Sequence, residues 1–575
     1  MNAGDAMTEL NFKGKEFVYN HHLAVPFRPL EIHSDKGIGK PRLDGNLIIQ
    51  GDNLHALKSL LPIYGGKVDC IFIDPPYNTG NEGWAYNDNV NSPMIKEWLA
   101  ANPIGVEDGL RHDKWCAMMW PRLSLLKELL AEDGVIFVCI DDNELYNLRL
   151  MLDQIFDRAD NWIGTIIWKN VTDNNPTRIA IEHEYIVCFS KNKEQVERVW
   201  KTSLSDVKDL LVQTGDKLIQ KFPNEIELEH EYKKWFRANK HELWPLDRYK
   251  YIDRGGIFTG SQSVHNPGKE GYRYDVLHPV TKKPCKQPLM GYRFPEETMK
   301  QLIDANKILF GEDHNKIIEL KLYAREYQEK LPSVIELDGR TSAYELRSLF
   351  PDEPKNFDHA KPTALVERIL SFVTKKDALI LDSFAGSGTT GHAVAALNAS
   401  DNGNRKFILI ECMDYAETLT RERVRRAMMG IAGVAEKIEG LGGEFTYCTL
   451  GTPVELDRVL TGETLPEFEA LGSVLFHMAT NQAFEPARAD IEKGYLGESG
   501  GQHVWLIYKP DIEWLKSPEA ALTLNKAREY AEAFPKAKHL VMAPARYVSQ
   551  KLLAEENLPV EFVPLPFALY RIERN

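Results

Sequence analysis

The four residues Asp74-Pro75-Pro76-Tyr77 combine a carboxylate, backbone carbonyls with no amide donor beside them, and an aromatic ring. They follow Val68-Asp69-Cys70-Ile71-Phe72-Ile73, a short apolar run that reads as a buried strand. Neither proline has an N–H, so ladder pairing stops at once and the loop is stiff. Such a set suits a planar amino group: two acceptors for its two hydrogens, and a ring to stack on. Taken alone, the tetrapeptide is equally well a proline-rich turn after a strand. A second stretch shifts that balance. About 300 residues further on, Leu379-Ile380-Leu381-Asp382 runs into Ser383-Phe384-Ala385-Gly386-Ser387-Gly388-Thr389-Thr390-Gly391 and then a helical segment from His392 to Leu397. Glycines between a strand and a helix let the backbone approach a ligand and take positive φ.

Both stretches belong at the carboxyl ends of strands, where open α/β sheets bind ligands. The rest of the chain supplies such a sheet. Leu47-Ile48-Ile49-Gln50-Gly51-Asp52-Asn53 is a short strand ending in Gly-Asp, followed by an amphipathic helix with Leu54, Leu57, Leu60 and Leu61. Trp120 to Leu130 predicts a helix, Gly134 to Asp142 a buried strand, and Asn143 to Phe156 another helix. Ile163 to Trp168 and His183 to Phe189 predict an antiparallel pair of strands. Alternation of this kind implies a mostly parallel, doubly wound sheet. Residues 78–103 are polar and aperiodic, as in a lid or a nucleic-acid contact.

Around Lys201 the rhythm breaks. Leu210 to Lys250 is charged and helical in pattern, with Trp235, Phe236 and Trp244, while Asp253 to Arg293 is rich in Gly, Pro, His and Tyr. The α/β pattern returns near Phe357, with a helix at Thr363 to Val373 and a strand at Lys406 to Glu411. A helix follows, carrying Thr420 to Arg426 on its basic side. After Gly442-Gly443, strands alternate with helices again, as in a small separate α/β domain.

The bulk numbers narrow the classes. At 575 residues the chain is too long for one core, and 43% hydrophobic with 27% charged residues is globular composition. No apolar run reaches membrane-spanning length, and Met1 to Leu30 lacks the order of a signal peptide. The 7 cysteines are scattered without a C-x-x-C pair, which points away from disulfides and zinc and toward the cytoplasm. A net charge of −14 excludes a simple basic DNA-coating protein. Between Tyr232 and Lys300, however, fourteen Lys or Arg face seven Asp or Glu, a local balance of +7.

Together the two motifs resemble the DNA amino-methyltransferases that use S-adenosylmethionine. The amino-group loop precedes the glycine-rich turn, with an insert between, and this order resembles the circularly permuted β class of those enzymes. Further matches are Gly51-Asp52-Asn53, Trp120-Pro121-Arg122-Leu123, His183-Glu184-Tyr185 and Ala360-Lys361-Pro362. With its length and its lead-in, the chain is more narrowly similar to the modification (Mod) subunits of type III restriction–modification systems. That resemblance implies a circularly permuted α/β methyltransferase, a doubly wound Rossmann-like sheet. The expected divisions are an N-terminal arm (1–45), a catalytic half (46–200), a target-recognition insert (201–355), a cofactor half (356–440) and a C-terminal α/β domain (441–575).

The resemblance also implies roles. Asp74, Pro75, Pro76 and Tyr77 would hold and stack on a flipped adenine. Asp382 and the run Phe384, Ala385, Gly386, Ser387, Gly388 and Thr389 would curve under S-adenosylmethionine, and S-adenosylhomocysteine would be the product. Glu411 would bind its ribose, Asp52 its adenine amino group, and Lys361 with Pro362 its methionine end. No metal is required. Asp rather than Ser at the first motif position implies N6-adenine rather than cytosine N4.

For DNA, the candidates are Asn78 beside the catalytic loop and Lys233, Lys234, Arg237, Arg248, Lys250, Arg254, Arg273, Lys282, Lys283 and Arg293 in the insert. The expected partners are double-stranded DNA, a second copy in a homodimer, and a helicase–endonuclease restriction (Res) subunit, with no membrane. The chain carries no G-x-x-x-x-G-K-[ST] loop of its own. The competing readings are a stand-alone β-class adenine methyltransferase and a sequence-specific DNA-binding protein without activity.

Overall fold

The computed structural model describes residues 9–79, 109–157, 161–171, 178–202, 205–243, 245–266, 268–351, 357, 360–431, 438–453, 465–480, 482 and 484–565. The stretch 78–103, expected to be a lid or a nucleic-acid contact, falls almost wholly outside them, as does Trp244. The described residues form two units, 1–198 with 332–575, and 199–331.

The first unit is built on a ten-stranded sheet. In chain order its strands and the helices that matter here are β1 (Leu30–Ile38), β2 (Leu47–Gln50), α1 (Asn53–Tyr64), β3 (Val68–Ile73), α2 (Arg111–Leu129), β4 (Leu130–Ile140), α3 (Leu145–Ile155), β5 (Trp162–Lys169), β6 (His183–Ser190), β7 (Val334–Glu336), α4 (Thr341–Leu349), α5 (Thr363–Val373), β8 (Leu379–Asp382), α6 (Thr389–Asp401), β9 (Lys406–Glu411), α7 (Glu422–Met429) and β10 (Phe445–Leu450). Across the sheet the order is β1-β10-β2-β9-β8-β3-β4-β6-β5-β7. The central strands β2, β9, β8, β3 and β4 are all parallel, and β6 runs antiparallel to β4 and β5.

Buried side chains on both faces explain why these strands read as unbroken apolar runs rather than alternating ones. Ile49, Ile71, Leu381 and Ile410 pack with α1, α2 and α3 in one core. On the opposite face α6 lies close to β9, where a Cβ on Gly391 would come within 2.9 Å of Leu409. The strands β3 and β8, far apart in the chain, are direct neighbours, with Cys70 opposite Ile380 and Ile71 opposite Leu381.

Three expected boundaries move, each because a short strand joins the main sheet. The lead-in is not wholly a separate arm, since β1 pairs with β10. The insert ends at Leu331 rather than 355, since β7 pairs with β5. Residues 445–450 belong to the main sheet through β2, so the C-terminal domain starts after them. That domain has the strands Tyr495–Ser499, Gln502–Leu506, Lys538–Ala543 and Val560–Pro564, the last three parallel, with the helices Leu524–Ala533 and Gln550–Glu555 between them.

The second unit pairs two helices, Asp206–Lys221 and Glu225–Asn239, with a four-stranded antiparallel sheet of Ile308–Leu309, Glu319–Tyr323, Gly256–Ser261 and Tyr251–Asp253. Leu211, Leu228, Tyr232 and Ile257 form its core. No helix among the described residues is long and apolar enough to cross a membrane.

Candidate active site

Because β3 and β8 lie side by side and parallel, the loops after Ile73 and Asp382 leave the same edge of the sheet, and β9 brings Glu411 next to them. A cavity of about 1120 Å³ opens there. Asp74, Pro75, Pro76, Tyr77, Lys361, Asp382, Phe384, Ala385, Gly386, Ser387, Thr389 and Glu411 all line it, together with Glu184, Trp168 and Tyr415.

The glycine-rich turn needs its glycines. Gly386 has φ 51° and Gly388 φ 84°, and a Cβ on Gly388 would meet the Thr420 carbonyl at 2.8 Å. Behind the turn, Thr420 Oγ1 donates to the Gly386 carbonyl at 2.5 Å. Arg423, wholly buried, donates to Ser387 Oγ (2.7 Å), Thr389 Oγ1 (2.8 Å) and Thr363 Oγ1 (3.0 Å) and pairs with Glu345 (3.4 Å). Burial pulls its guanidinium down to about 10, and Glu345 opposes the pull. One buried cation thus ties the turn to α4 and α5.

The acids of the cavity are held differently. Glu411 accepts the Gly386 amide on Oε2 (2.8 Å) and the Met413 amide on Oε1 (2.9 Å), with Cys412 as a further donor. Burial raises its carboxyl, against those backbone donors. Asp382 accepts the Phe384 amide (3.0 Å) and the Thr390 hydroxyl (2.5 Å), yet burial pushes it up to about 7.

The Asp-Pro-Pro-Tyr loop is braced from below, because the Trp115 indole donates to the Pro76 carbonyl at 2.7 Å. Asp74 has both oxygens engaged. Oδ1 accepts from the Tyr77 hydroxyl at 2.8 Å, and Oδ2 from the Lys361 ammonium at 2.7 Å. Glu184 closes the network, with Oε2 at 2.9 Å from the Tyr77 hydroxyl and 3.3 Å from Lys361, and Oε1 accepting from Asn170 at 2.7 Å. Lys361 also sits over the Tyr77 ring, 5.0 Å from its centre. Burial alone would lower that ammonium, but Asp74 and Glu184 outweigh it and hold it above the ordinary lysine range.

Several expected roles change. Lys361 points its ammonium at Asp74 and Glu184, while only its backbone carbonyl reaches the turn, accepting from Thr389 at 3.2 Å. Asp52 and Pro362 do not line the cavity. Asp52 caps α1, accepting from Leu54 (2.9 Å) and His55 (3.3 Å), and meets Arg122 at 3.5 Å; Pro362 caps α5. Gly388 stands behind the turn rather than on the cavity wall. Asn78 is 0% exposed, with φ 60° and its amide donated to Glu144.

The insert candidates from Lys233 to Arg293 are all exposed. Several have side-chain polar partners that compete with phosphate: Lys233 pairs with Glu229 at 2.6 Å, Arg254 donates to the Ile219 (3.2 Å) and Pro223 carbonyls, and Arg273 donates to the Leu289 carbonyl at 2.8 Å. Sequence reading had no role for Glu184, Trp115, Arg423 or Glu345. Glu184 carried a signal, in the His183-Glu184-Tyr185 match, whereas its partner Tyr77 is 107 residues away.

A parallel sheet in which a glycine-rich turn and an Asp-Pro-Pro-Tyr loop share one cavity is a methyltransferase architecture. The chain belongs to the DNA methylase family, whose model matches residues 68–422. It is 51% identical over 378 residues to the type III restriction-modification enzyme EcoP15I Mod subunit of Escherichia coli, a match covering 64% of this chain and 58% of that protein. It is 32% identical over 378 residues to the StyLTI Mod subunit of Salmonella typhimurium, covering 63% of this chain and 52% of the other. To the type II methyltransferase M.KpnI of Klebsiella pneumoniae it is 29% identical over 371 residues, covering 63% of this chain and 79% of that enzyme. The matches thus span little more than half the length of these two Mod subunits.

Proposed function

We propose that this chain transfers a methyl group from S-adenosylmethionine to the N6 amino group of an adenine everted from duplex DNA, as the modification and recognition subunit of a type III restriction–modification system. The observation that carries the reading is the meeting of Asp74 and the Gly386 turn in one cavity. When bound, S-adenosylmethionine supplies an electrophilic methyl on a cationic sulfur. The cavity suits a cation, since among the described residues Asp74, Asp141, Glu184, Asp382 and Glu411 line it against Arg340 and Lys361. Gly386 to Thr389 would take the methionyl part and Glu411 the ribose hydroxyls.

A base stacked in a duplex cannot reach such a cavity, so the target must be everted. The Asp74 carboxylate and the Pro75 carbonyl would then accept its two amino hydrogens. That geometry keeps the nitrogen lone pair out of the ring and aims it at the incoming methyl, which is catalysis by positioning and electrostatics. Once the new N–C bond forms, the amino group sheds one proton, to Asp74 or to water. A homodimer and a Res subunit would complete the assembly, in the cytoplasm.

A second reading, a stand-alone enzyme, draws on the fuller coverage of M.KpnI. Co-purification of a helicase–nuclease subunit separates the two. Single-molecule sequencing of DNA from cells expressing the chain should show N6-methyladenine in one sequence context. Asp74→Ala should lower transfer by about 10² to 10³-fold, the cost of losing one aligned polar group. N4-methylcytosine, or full activity in Asp74→Ala, overturns the proposal.

A further inference from the structure

The reaction just derived needs Asp74 as an acceptor and the Tyr77 ring as a stacking face. In this structure neither is open. Lys361 holds Asp74 Oδ2 at 2.7 Å and covers the Tyr77 ring at 5.0 Å, so one side chain fills both positions that the target base must take. An ammonium is a fair copy of an amino group about to be alkylated: a nitrogen with hydrogens to donate, and charge to set against a carboxylate and a π face.

The stem of Lys361 cannot move far. Its carbonyl is held by Thr389, and its side chain is 9% exposed. The ammonium, however, already has a second carboxylate in reach, with Glu184 Oε2 at 3.3 Å. Glu184 is itself held by the Asn170 amide on one oxygen, and its other oxygen lies 2.9 Å from the Tyr77 hydroxyl, whose one proton it shares with Asp74. A cation leaving Asp74 therefore meets a prepared anion and is never stranded in a buried site, where an unpaired charge is costly.

Resting on the methyltransferase reading, we propose that Lys361 is a surrogate for the target amino group, occupying Asp74 and the Tyr77 face in the resting enzyme, and that Glu184 is the positioning residue that takes the ammonium over when the base arrives. The exchange breaks no covalent bond and moves no proton, because Lys361 stays an ammonium on either carboxylate. Asp74 is kept occupied until the target displaces its occupant, so only a base with hydrogens to donate competes for the position. The equilibrium between the two lysine positions adds directly to the free energy of eversion.

The test uses the full chain with S-adenosylhomocysteine and a duplex carrying the methylated sequence, in which 2-aminopurine stands next to the target adenine and brightens when that adenine leaves the stack. Glu184→Gln keeps the hydrogen-bonding shape but removes the charge that receives Lys361. It should weaken eversion about tenfold, since a charge-assisted contact contributes one to two decades in an equilibrium. The KM for DNA should rise while the Kd for S-adenosylhomocysteine holds. Adding Lys361→Met to Glu184→Gln removes the occupant as well, and should return eversion to at least the original level, which a folding defect would not do. Eversion unchanged in Glu184→Gln, or a double variant no better than the single one, overturns the exchange. An unaltered chain that neither everts nor methylates any adenine instead refutes the underlying activity.

Discussion

Lys361 and Lys282 show how differently the two units of this protein use one residue type. Lys361 is buried beside the central sheet, between two carboxylates and over a ring. Lys282 stands exposed in the insert, on a turn residue with φ 57°. Around the cavity the charges are largely buried and paired with one another, whereas the candidate cations of the insert, from Lys233 to Arg293, stand exposed. Chemistry at one nitrogen needs groups held before the substrate arrives, whereas contact with a phosphate backbone needs mobile cations that cost little to rearrange.

If that contrast is right, breaking a buried charge should cost most. Arg423→Met removes the cation that binds Ser387 and Thr389 and leaves Glu345 facing an apolar chain. Breaking a buried pair costs about 3 kcal/mol or more, and the lower figure applies because Glu345 still reaches solvent. Urea unfolding should show that loss, and S-adenosylmethionine affinity should fall with it as the turn loosens. Unchanged stability would mean that the turn stands without its brace.

A smaller effect sharpens the comparison through pH. Asp382 titrates at about 7 because of its burial, above the usual aspartate value. Below that pH it keeps a proton that a bound sulfonium would drive off, so S-adenosylmethionine affinity should rise as the pH climbs toward about 7 and level off above it. Each unit by which the bound cation pulls Asp382 down is about tenfold in affinity. S-adenosylhomocysteine, without the charge, should show a flatter profile, and Asp382→Asn should flatten both. Stability runs the other way. The folded chain holds this proton more tightly than the unfolded one does, so the Asp382 contribution falls as pH climbs from about 4 to about 7.

What could be read from sequence follows the same division. The strands at Val68 and Leu379 and the two motifs after them were legible because buried parallel strands are short apolar runs ended by Pro or Gly. The permuted order was legible because the motifs keep their identity wherever they stand. The network around Asp74 was not. Lys361 lies 287 residues from Asp74 and Glu184 lies 107 from Tyr77, and spacing along a chain does not encode contacts between loops of separate strands. Asn78 looked like a polar neighbour of the motif, yet its positive φ turns it inward to Glu144. The end of the insert is not legible in the sequence because β7 spans three residues, Val334–Glu336, too few to show a period.

The smallest expected effects lie in the insert, and they separate its cations from one another. A lysine that neutralises a phosphate releases a counterion, so its removal should lower the slope of log affinity against log salt by about 1. Lys282→Ala with Lys283→Ala should therefore lower that slope by about 2, weakening cognate and non-cognate duplexes alike and leaving methyl transfer at saturating DNA intact. Lys233 is a different case, because Glu229 one turn earlier holds its ammonium at 2.6 Å and the pair must part before a phosphate can bind. Lys233→Ala should change the slope by well under 1, and Glu229→Ala should raise affinity by freeing the lysine. Filter binding across a salt series measures all three. A slope lowered by about 1 in Lys233→Ala, half the change in the Lys282–Lys283 double variant, would mean that exposure alone, and not the presence of a competing carboxylate, decides which cations of this insert meet DNA.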